Sequence, residues 1–497
     1  MSASLYSQKV GVVLSGGGAG GLSHIGVLKA LEDQGIPIDY ITGTSIGAMV
    51  GGLYAAGYSP EQIETIFKSK KFQGFTQGEI EKKYQYYFKK SEDNASWFAY
   101  KVAFDSVLLT NIPTNLINSI PIDFAIMELF APASARSNYK FDSLFIPFRC
   151  VASDIETKKT VVFRSGNMST AIRASMTYPF YLRPITVDGK LLFDGGLYNN
   201  FTSNIMQEDF NPDYIIGSTV TANSPNPSED NLYLQLRNML MTKTDFDPSW
   251  ENGILIKPWS DVGIFAFGDA ERLIDSGYVA AMRQVEEIKK HITSYRTKAE
   301  LDERRRRFVS GEKPLVFEEI EIEGLEKSQA IYVKRLFKKR QGELTLEKLK
   351  PRYFRLAEDN KIKSIFPTAI LNPVTGRYRL NVRVKKEKDF VLQLGGNFSN
   401  RPISEGFIGL QYNYLGKIAL TAYVNGYFGK LNTSTFGKLR IDFPSKLPFY
   451  IEPTITYSRW DYYRSSILFY GFQKPAYLTQ RDKFSDLNIG FPIGNRA

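Results

Sequence analysis

The sequence predicts a three-layer α/β domain, then a small α+β domain, then a run of antiparallel strands. Three observations predict this order. Apolar strand-like runs alternate with helix-like runs over residues 9–222, which is typical of a largely parallel sheet. Over 313–388 the pattern becomes a strand, two short helices and a hairpin, and from 389 to 497 only alternating strand-like runs remain. A chain of 497 residues has room for several domains, because one core seldom exceeds about 250–300 residues.

The first domain opens with two strand–helix pairs. A valine-rich strand at 9–15 precedes a helix at Ser23–Gln34, and a strand at Ile38–Thr42 precedes a helix-like run at Ile46–Ala56. The other predicted elements are a helix at Ser59–Lys70, strands at 145–155 and 160–166, a hairpin at 185–196 with Asp-Gly at its turn, and a strand at 213–220 that closes the sheet. The polar, aromatic-rich stretch 71–112 is interpreted as an inserted flap.

Residues 223–312 are predicted to form a mostly helical extension and linker. Helical periodicity is clear over Asp269–Tyr295, and the basic run Arg304–Arg307 follows it. We interpret these arginines as a solvated linker face. The alternative is a patch that contacts a membrane or a partner.

Gly43-Thr44-Ser45-Ile46-Gly47 has the G-x-S-x-G form of a nucleophile elbow. A predicted strand runs into it and a helix leaves it, so the Ser45 hydroxyl would project from a tight turn. Gly43 and Gly47 matter because side chains there would crowd that turn. The pattern predicts a serine hydrolase with Ser45 as nucleophile.

A second glycine cluster, GGGAGG at 16–21, follows the first strand and opens a helix. Successive backbone N–H groups in such a turn can bind the oxyanion that forms during ester hydrolysis. The rival interpretation is a dinucleotide-binding loop, since Gly16, Gly18 and Gly21 fit G-x-G-x-x-G. That site needs an acidic residue at the end of the second strand, whereas Asp39 lies at its start. The sequence therefore favours the oxyanion loop.

The base that activates Ser45 is predicted to be an aspartate. The chain has two histidines: His24 is interpreted as a packed or capping residue, and His291 as a surface residue. Asp194, in FDGG after a strand, has glycines beside it that would allow close approach to Ser45. Asp154 is the second candidate and is interpreted as a residue that orders a turn. As a base, Asp194 needs a pKa above the ordinary value, through burial.

Composition indicates which kinds of partner the protein binds and whether it contains disulfides or targeting segments. The net charge of +11 favours an anionic partner such as a lipid headgroup surface, although charge alone does not rule out nucleic acid. The single cysteine, Cys150, excludes an internal disulfide and is predicted to be buried and inert. No run of about 20 apolar residues predicts a transmembrane helix. The small, polar start resembles the tail of a signal peptide, so we expect a truncated or missing signal peptide.

The C-terminal strands alternate apolar and polar residues over runs of about ten, with aromatics at their ends. In GKLRIDF, for example, Leu439, Ile441 and Phe443 share one face. This pattern is typical of transmembrane β-barrel strands. The alternative is a soluble antiparallel sandwich.

The motifs GGGAGGLSHIGVLKALE, GTSIGAMVGGLYAAGYS, VASDIETKKTVVFRSG, RASMTYPFYLRPI and DGGLYNN resemble those of patatin-like phospholipases over about 9–222. The resemblance implies lipid acyl hydrolysis on a three-layer α/β patatin-like domain, without metal or organic cofactor. It implies Ser45 as nucleophile, Asp194 as proton acceptor and Gly16, Gly17 and Gly18 as the oxyanion loop. The other motif glycines are Gly21, Gly43, Gly47, Gly195 and Gly196. This chain departs from many members at Gly20, where they carry Arg or Lys.

Residues 313–388 are similar to a polypeptide-transport-associated (POTRA) domain, and 389–497 resemble the start of a surface-antigen-type outer-membrane barrel. Together the segments resemble the autosecreted (type V) patatins of Gram-negative bacteria. This implies a cell-envelope, outer-membrane or cell-surface location, a lipid ester substrate, a membrane surface as partner and no nucleic acid. A homodimer stays an open alternative. About five or six barrel strands are predicted, fewer than a closed barrel of this type needs.

Two alternative functions stay open. The chain could act mainly in secretion or outer-membrane assembly, with the lipase domain as passenger. The same dyad could also transfer the acyl group to an acceptor other than water.

Overall fold

The structure is a computed structural model. The residues it describes are 8–89, 93–102, 115–223, 226–246, 250, 252–337, 343–399, 404–429, 431–444, 448–464 and 476–493. The start at 1–7, on which the signal-peptide expectation depends, and residues 90–92 and 103–112 of the interpreted flap lie outside this set.

Two compact units make up the chain, and each combines separate stretches of sequence. The first unit comprises Met1–Ile80, Pro113–Leu315 and Pro367–Leu380. The second comprises Glu81–Ile112, Val316–Phe366 and Asn381–Ala497. The predicted boundaries at 9–222, 223–312, 313–388 and 389–497 therefore stay predictions, because each unit joins parts of several segments.

The first unit is a sheet with helices on its faces. In chain order its helices and strands, with β3 of the second unit between them, are β1 (Val10–Leu14), α1 (Ser23–Asp33), β2 (Tyr40–Thr44), α2 (Ile46–Ala55), α3 (Pro60–Lys68), α4 (Lys70–Thr76), β3 (Ser96–Val102), α5 (Ile120–Arg136), β4 (Phe148–Asp154), β5 (Lys159–Phe163), α6 (Met168–Ser175), β6 (Ile185–Val187), β7 (Lys190–Asp194), α7 (Ser203–Asp209), β8 (Tyr214–Ser218), α8 (Leu232–Leu240), β9 (Gly253–Ile256), α9 (Ala270–Met282), α10 (Val285–His291) and α11 (Lys298–Val309).

Within the described residues this sheet has eight strands, in the order β6-β7-β4-β2-β1-β8-β9, with β5 also paired to β4. Strands β4, β2, β1, β8 and β9 run parallel, and β5, β6 and β7 add antiparallel pairs. The mixed α/β prediction is confirmed. The predicted hairpin is β6–β7, and both of its turn residues, Asp188 and Gly189, have positive φ.

Two details of the sequence interpretation are wrong. β8 does not close the sheet, because β9 pairs with it in parallel inside the region predicted to be mostly helical. β9 is only four residues long and lies among polar residues, so its periodicity is weak. The arginine run is also not one solvated face. Arg305 on α11 is buried and paired with Glu32, while Arg306 and Arg307 are exposed and pair with Glu303.

Helix α1 leaves the glycine cluster and is held tightly by α9. A Cβ on Gly26 would lie 1.9 Å from the carbonyl oxygen of Ile274, and one on Gly277 would lie 1.8 Å from that of Ser23. The backbones can approach this closely only because both residues are glycine. The crossing fixes the start of α1, and with it the end of the glycine loop.

The second unit contains a small sheet and a large one. Its other elements are β10 (Val316–Glu323), α12 (Lys327–Phe337), β11 (Leu344–Thr345), α13 (Leu346–Ala357), β12 (Ile362–Asn372), β13 (Arg377–Lys386), β14 (Phe390–Asn397), β15 (Glu405–Leu415), β16 (Ala419–Gly429), β17 (Asn432–Phe443), β18 (Phe449–Arg464) and β19 (Ala476–Gly490). The small sheet has the order β11-β10-β13-β12 and carries α12 and α13. The chain follows the predicted β-α-α-β-β order except for the two-residue strand β11, which lies between the helices and was not predicted. The end of the β12–β13 hairpin that contains its turn, Pro367–Leu380, belongs to the first unit.

The large sheet is antiparallel, with seven strands among the described residues in the order β19-β18-β17-β16-β15-β14-β3. Six are the predicted C-terminal strands. The seventh, β3, comes from the stretch interpreted as a flap and pairs with β14 from Phe390 opposite Val102 to Gly395 opposite Ser96. That part of the flap is therefore an edge strand.

The two faces of the large sheet differ in polarity. One face exposes apolar side chains along each strand, among them Ile408, Leu410, Val424, Phe428, Ile455 and Leu487. The other face carries polar side chains that line a cavity, including Gln393, Gln411, Asn425 and Lys438. A sheet with an exposed apolar face and a polar opposite face has the pattern of outer-membrane strands.

Among the described residues, no helix has the length and apolar character needed to span a bilayer.

Candidate active site

Ser45 lies in the sharp turn between β2 and α2, and its backbone has a conformation that residues other than glycine rarely adopt. Its φ is 54° and its ψ is −122°. A Cβ on Gly47 would lie 2.5 Å from the carbonyl oxygens of Leu14 and Ser15, and one on Gly43 would lie 2.6 Å from that of Gly47. The two motif glycines therefore allow the turn to pack against the end of β1. Strain of this kind is typical of functional positions.

The Ser45 hydroxyl lies beside Asp194, as the dyad prediction requires. Ser45 Oγ donates to Asp194 Oδ2 over 2.6 Å, and the Gly196 amide donates to Asp194 Oδ1 over 2.7 Å. Asp194 is buried at the end of β7. Burial raises the pKa of Asp194 to about 6, although the hydrogen bonds from Ser45 and Gly196 lower it. A buried carboxylate with this pKa that accepts a hydrogen bond from a serine hydroxyl can take up the hydroxyl proton near neutral pH.

A buried network fixes the backbone on either side of this pair. The Ser45 amide donates to Ser175 Oγ over 2.9 Å, and the Asp194 amide donates to the Thr177 carbonyl over 2.8 Å. Thr177 is held in turn by Arg173, whose guanidinium donates to Thr177 Oγ1 over 2.6 Å and pairs with buried Asp123. Ser175 was not singled out by sequence reasoning. Its segment, RASMTYP, is one of the motifs that carried the family resemblance.

The glycine cluster lies directly against Ser45, since a Cβ on Gly16 would lie 3.1 Å from Ser45 Cβ. The Gly16 amide donates to the Asn200 carbonyl over 3.2 Å, so it is already occupied. Gly17 and Gly18 line the pocket that contains Ser45. Gly18 has φ +58°, and a Cβ there would lie 2.3 Å from the Ile264 carbonyl oxygen. Of the three predicted oxyanion glycines, Gly16 thus has an amide that is already bonded, whereas Gly17 and Gly18 border the pocket.

The remaining motif glycines are points of close contact. The nearest atoms to a Cβ at each are Ile46 Cγ2 for Gly21 (2.0 Å), the Val151 carbonyl oxygen for Gly195 (2.4 Å) and Asn200 Oδ1 for Gly196 (2.6 Å). Gly20 is buried, and a Cβ there would lie 3.1 Å from Ser260 Cβ. Of the described residues that line the pocket, Arg237 is the only one with a positive charge.

Asn200 is a pocket residue that sequence reasoning missed. Its backbone carbonyl accepts from Gly16, and its side chain lies between Gly16 and Gly196. It thereby joins the glycine loop to the Asp194 turn. The signal was available, because Asn200 ends the DGGLYNN motif that also contains Asp194.

The two histidines and Asp154 lie outside the pocket. His24 Nε2 donates to the Ser15 carbonyl over 2.9 Å, so Nδ1 accepts from Ser218 Oγ over 2.8 Å. Burial lowers the pKa of His24 to about 4. His291 stacks on Tyr214 with ring centroids 5.5 Å apart. Asp154 accepts from the Glu156 amide and Thr157 Oγ1, which matches its interpretation as a turn residue.

The pocket beside Ser45 is mostly apolar. Its empty volume, open mouth included, is about 890 Å³. Its apolar walls are formed by Ile46, Phe72, Ile122, Met176, Tyr178, Tyr181, Leu182, Leu197, Met241, Ile264, Phe265 and Phe267. A hydrophobic cleft with a few convergent polar groups at one end is typical of a small-molecule site.

Comparisons with known proteins match the part of the chain that contains this site. Residues 12–205 match the family described as patatin-like phospholipase. The chain is 33% identical over 207 residues to a patatin-like phospholipase domain-containing protein of Caenorhabditis elegans, and 32% identical over 203 residues to a lysophospholipase of Yarrowia lipolytica. Each match covers 41% of this chain but only 13% and 12% of those proteins.

A solved structure of CdiB from Acinetobacter baumannii also matches, with 12% sequence identity and a TM-score of 0.27, over 42% of this chain and 46% of CdiB. At this TM-score the likeness establishes no shared fold. The family match, in contrast, covers the elbow, the glycine loop and Asp194 together. The chain contains a patatin-like phospholipase domain at residues 12–205.

Proposed function

We propose that this protein is a serine lipid acyl hydrolase of the phospholipase A or lysophospholipase type that uses a Ser45–Asp194 dyad. The observation that carries the proposal is the 2.6 Å hydrogen bond from Ser45 Oγ to a buried aspartate at the end of an apolar pocket. The family match at 12–205 supports it.

In the first half of the reaction Ser45 Oγ attacks the ester carbonyl carbon and its proton passes to Asp194. The carbonyl oxygen becomes an oxyanion that the amides of Gly17 and Gly18 stabilise. When the tetrahedral intermediate collapses, the bond to the leaving alcohol breaks and that oxygen takes the proton from Asp194. An acyl-enzyme ester on Ser45 remains.

In the second half water replaces the alcohol. Asp194 accepts a proton from the water as its oxygen attacks the acyl carbon, and the same amides hold the new oxyanion. Collapse breaks the bond to Ser45, which recovers the proton from Asp194. The products are a free carboxylic acid and the original enzyme.

The shape and polarity of the pocket support a lipid substrate. Its walls offer apolar side chains for an acyl chain, while the dyad lies where the ester would be. Arg237, on the pocket wall, provides a positive charge that suits a phosphate-bearing lipid.

A panel of phospholipids, lysophospholipids and neutral esters, assayed with wild type, Ser45→Ala and Asp194→Asn, tests this function. We expect both variants to lose at least about a thousandfold in rate while their circular dichroism matches wild type. Full activity in Asp194→Asn would rule out the dyad, and activity in Ser45→Ala would rule out the nucleophile.

A second function is favoured by the large sheet of the second unit. We propose that its exposed apolar face contacts lipid acyl chains in the outer membrane of a Gram-negative envelope, with the small sheet serving as a POTRA-like domain. The supporting observation is the separation of apolar and polar side chains onto opposite faces of β14–β19. The hydrolase would then be attached to a secretion or assembly module. Membrane fractionation of cells that produce the chain tests this location. Recovery of the whole chain in the soluble fraction would contradict it.

A further inference from the structure

A group of exposed apolar side chains lies next to the mouth of the pocket. Helix α8 exposes Leu232, Leu236, Met239 and Leu240, which are spaced along one helical face. Met239 is 79% exposed. Arg237 on the same helix and Met241, which directly follows the helix, line the pocket. The helix therefore presents an exposed apolar face beside a segment that forms part of the pocket wall.

Phe180 adds a second apolar projection beside the pocket. It is 60% exposed and has a φ of 64°, a conformation that is costly for a bulky side chain. Its neighbours Tyr178 and Tyr181 line the pocket, and Tyr181 stacks on Phe265 with ring centroids 3.9 Å apart. The strained backbone thus separates Phe180 from the aromatic wall formed by the residues around it.

Two further residues extend this surface. Leu116, which is 80% exposed, donates its amide to the Phe180 carbonyl. Phe265 lines the pocket and is itself partly exposed. We define the rim as Leu116, Phe180, Leu236, Met239, Leu240 and Phe265. Large exposed apolar side chains rarely cluster on a monomer surface unless something covers them.

We propose that the rim is a lipid-docking surface that inserts among the acyl chains of a phospholipid bilayer and places the pocket mouth on the membrane. The inference rests on the proposed function. Continuity with the pocket favours a bilayer as the occupant, because rim residues alternate along the chain with residues of the pocket wall. Charge agrees, since Arg237 lies between rim residues Leu236 and Met239 and the chain carries a net charge of +11.

A fluorescent label on α8 tests docking at one defined place. Cys150 is the single cysteine and is fully buried, so a cysteine introduced on the surface can be labelled selectively. We would label Met239→Cys with an environment-sensitive fluorophore in the full chain carrying Ser45→Ala, and add phosphatidylcholine/phosphatidylglycerol vesicles. Val279→Cys, on an exposed helix position away from the pocket wall, is the matched control.

We expect the emission of labelled Met239→Cys to shift to the blue and to rise at least about twofold, and brominated lipid to quench it, while labelled Val279→Cys does not respond. An equal response at both positions, or none at Met239→Cys, would overturn the proposal. Because Ser45→Ala cannot turn over, this result does not depend on hydrolysis. A label response in a protein whose wild type hydrolyses no ester would refute the proposed function and leave docking standing.

Activity gives a second readout in an otherwise wild-type chain. Leu236→Gln combined with Phe180→Asn, where Asn tolerates the positive φ, should lower hydrolysis of vesicle phospholipid about tenfold and leave hydrolysis of a soluble short-chain ester within about twofold. Val279→Gln should change neither rate. The double substitution could instead turn a dimeric protein into a monomer while vesicles leave the emission of labelled Met239→Cys unchanged. In that case the rim is an interface between copies of the chain, and the proposal fails.

Discussion

At the residue scale, Asp194 has to meet two opposing demands. It must be ionised to take a proton from Ser45, yet it is buried, and burial favours its neutral form. The balance with the hydrogen bonds from Ser45 and Gly196 sets its pKa at about 6. A carboxylate of that basicity is a far better proton acceptor than an exposed aspartate and is still ionised at neutral pH.

The pH profile should follow this pKa. Because the ionised form of Asp194 is the active one, kcat/KM should rise with pH, reach half of its plateau near pH 6 and stay level above it. Initial rates on a soluble ester between pH 4 and 9 give the profile. A half-maximum near pH 4 would show that burial does not raise the pKa of Asp194 in the free enzyme.

The same burial should make Asp194 costly for stability. Its folded pKa of about 6 lies above the unfolded value, so ionisation opposes folding fully above pH 6, and the penalty disappears as pH falls toward 4. Asp194→Asn should therefore raise the free energy of unfolding by about 1–3 kcal/mol at pH 8. Urea denaturation at pH 8 and pH 4.5 measures the difference. A variant that is less stable than wild type at pH 8 would contradict the assignment.

At the scale of elements, the sheet and its connections bring distant motifs together. The ends of β1, β2 and β7 carry the glycine loop, the nucleophile and the aspartate. The sequence predicted these strands because their apolar runs are long and end in glycine motifs. It did not predict β9, which is short, or the burial of Arg305, because a run of like charges gives no sign of which member meets a buried partner.

The Arg305–Glu32 pair links α11 to α1, and both side chains are almost fully buried. Removing one partner leaves the other charge buried without compensation. Arg305→Ala should therefore lower the free energy of unfolding by about 3–5 kcal/mol. Its neighbour Arg306 is exposed, so Arg306→Ala should change stability by less than about 0.5 kcal/mol. Thermal or urea unfolding of the two variants side by side checks the contrast, and equal effects would contradict it.

At the scale of the whole molecule, the chain joins a unit that contains the patatin-like phospholipase domain to a unit whose large sheet exposes an apolar face. The strand pattern predicted that sheet, since alternation reports faces directly. Its edge strand β3 was not predicted, because pairing between stretches nearly 300 residues apart leaves no local signal. The pocket rim was not predicted from the sequence either, because its residues come from separate segments of the chain.

Contact between the large sheet and lipid should be sensitive to charge on the exposed face. Ile455 is among the most exposed residues of β18. Ile455→Arg should reduce the fraction of the second unit that phospholipid vesicles protect from proteinase K, a protease of broad specificity, by at least about tenfold. Ile455→Leu keeps the apolar side chain and should behave as wild type. Equal protection in both variants would show that this face does not contact lipid.

The central claim is that Ser45 is a nucleophile activated by Asp194. Reaction with a fluorophosphonate, followed by peptide mass spectrometry, tests it most directly, because the reagent marks only an activated serine. The account predicts one adduct, on Ser45, at a rate that falls by at least about a hundredfold in Asp194→Asn. An unmodified wild-type Ser45, or a rate unchanged in Asp194→Asn, would contradict it.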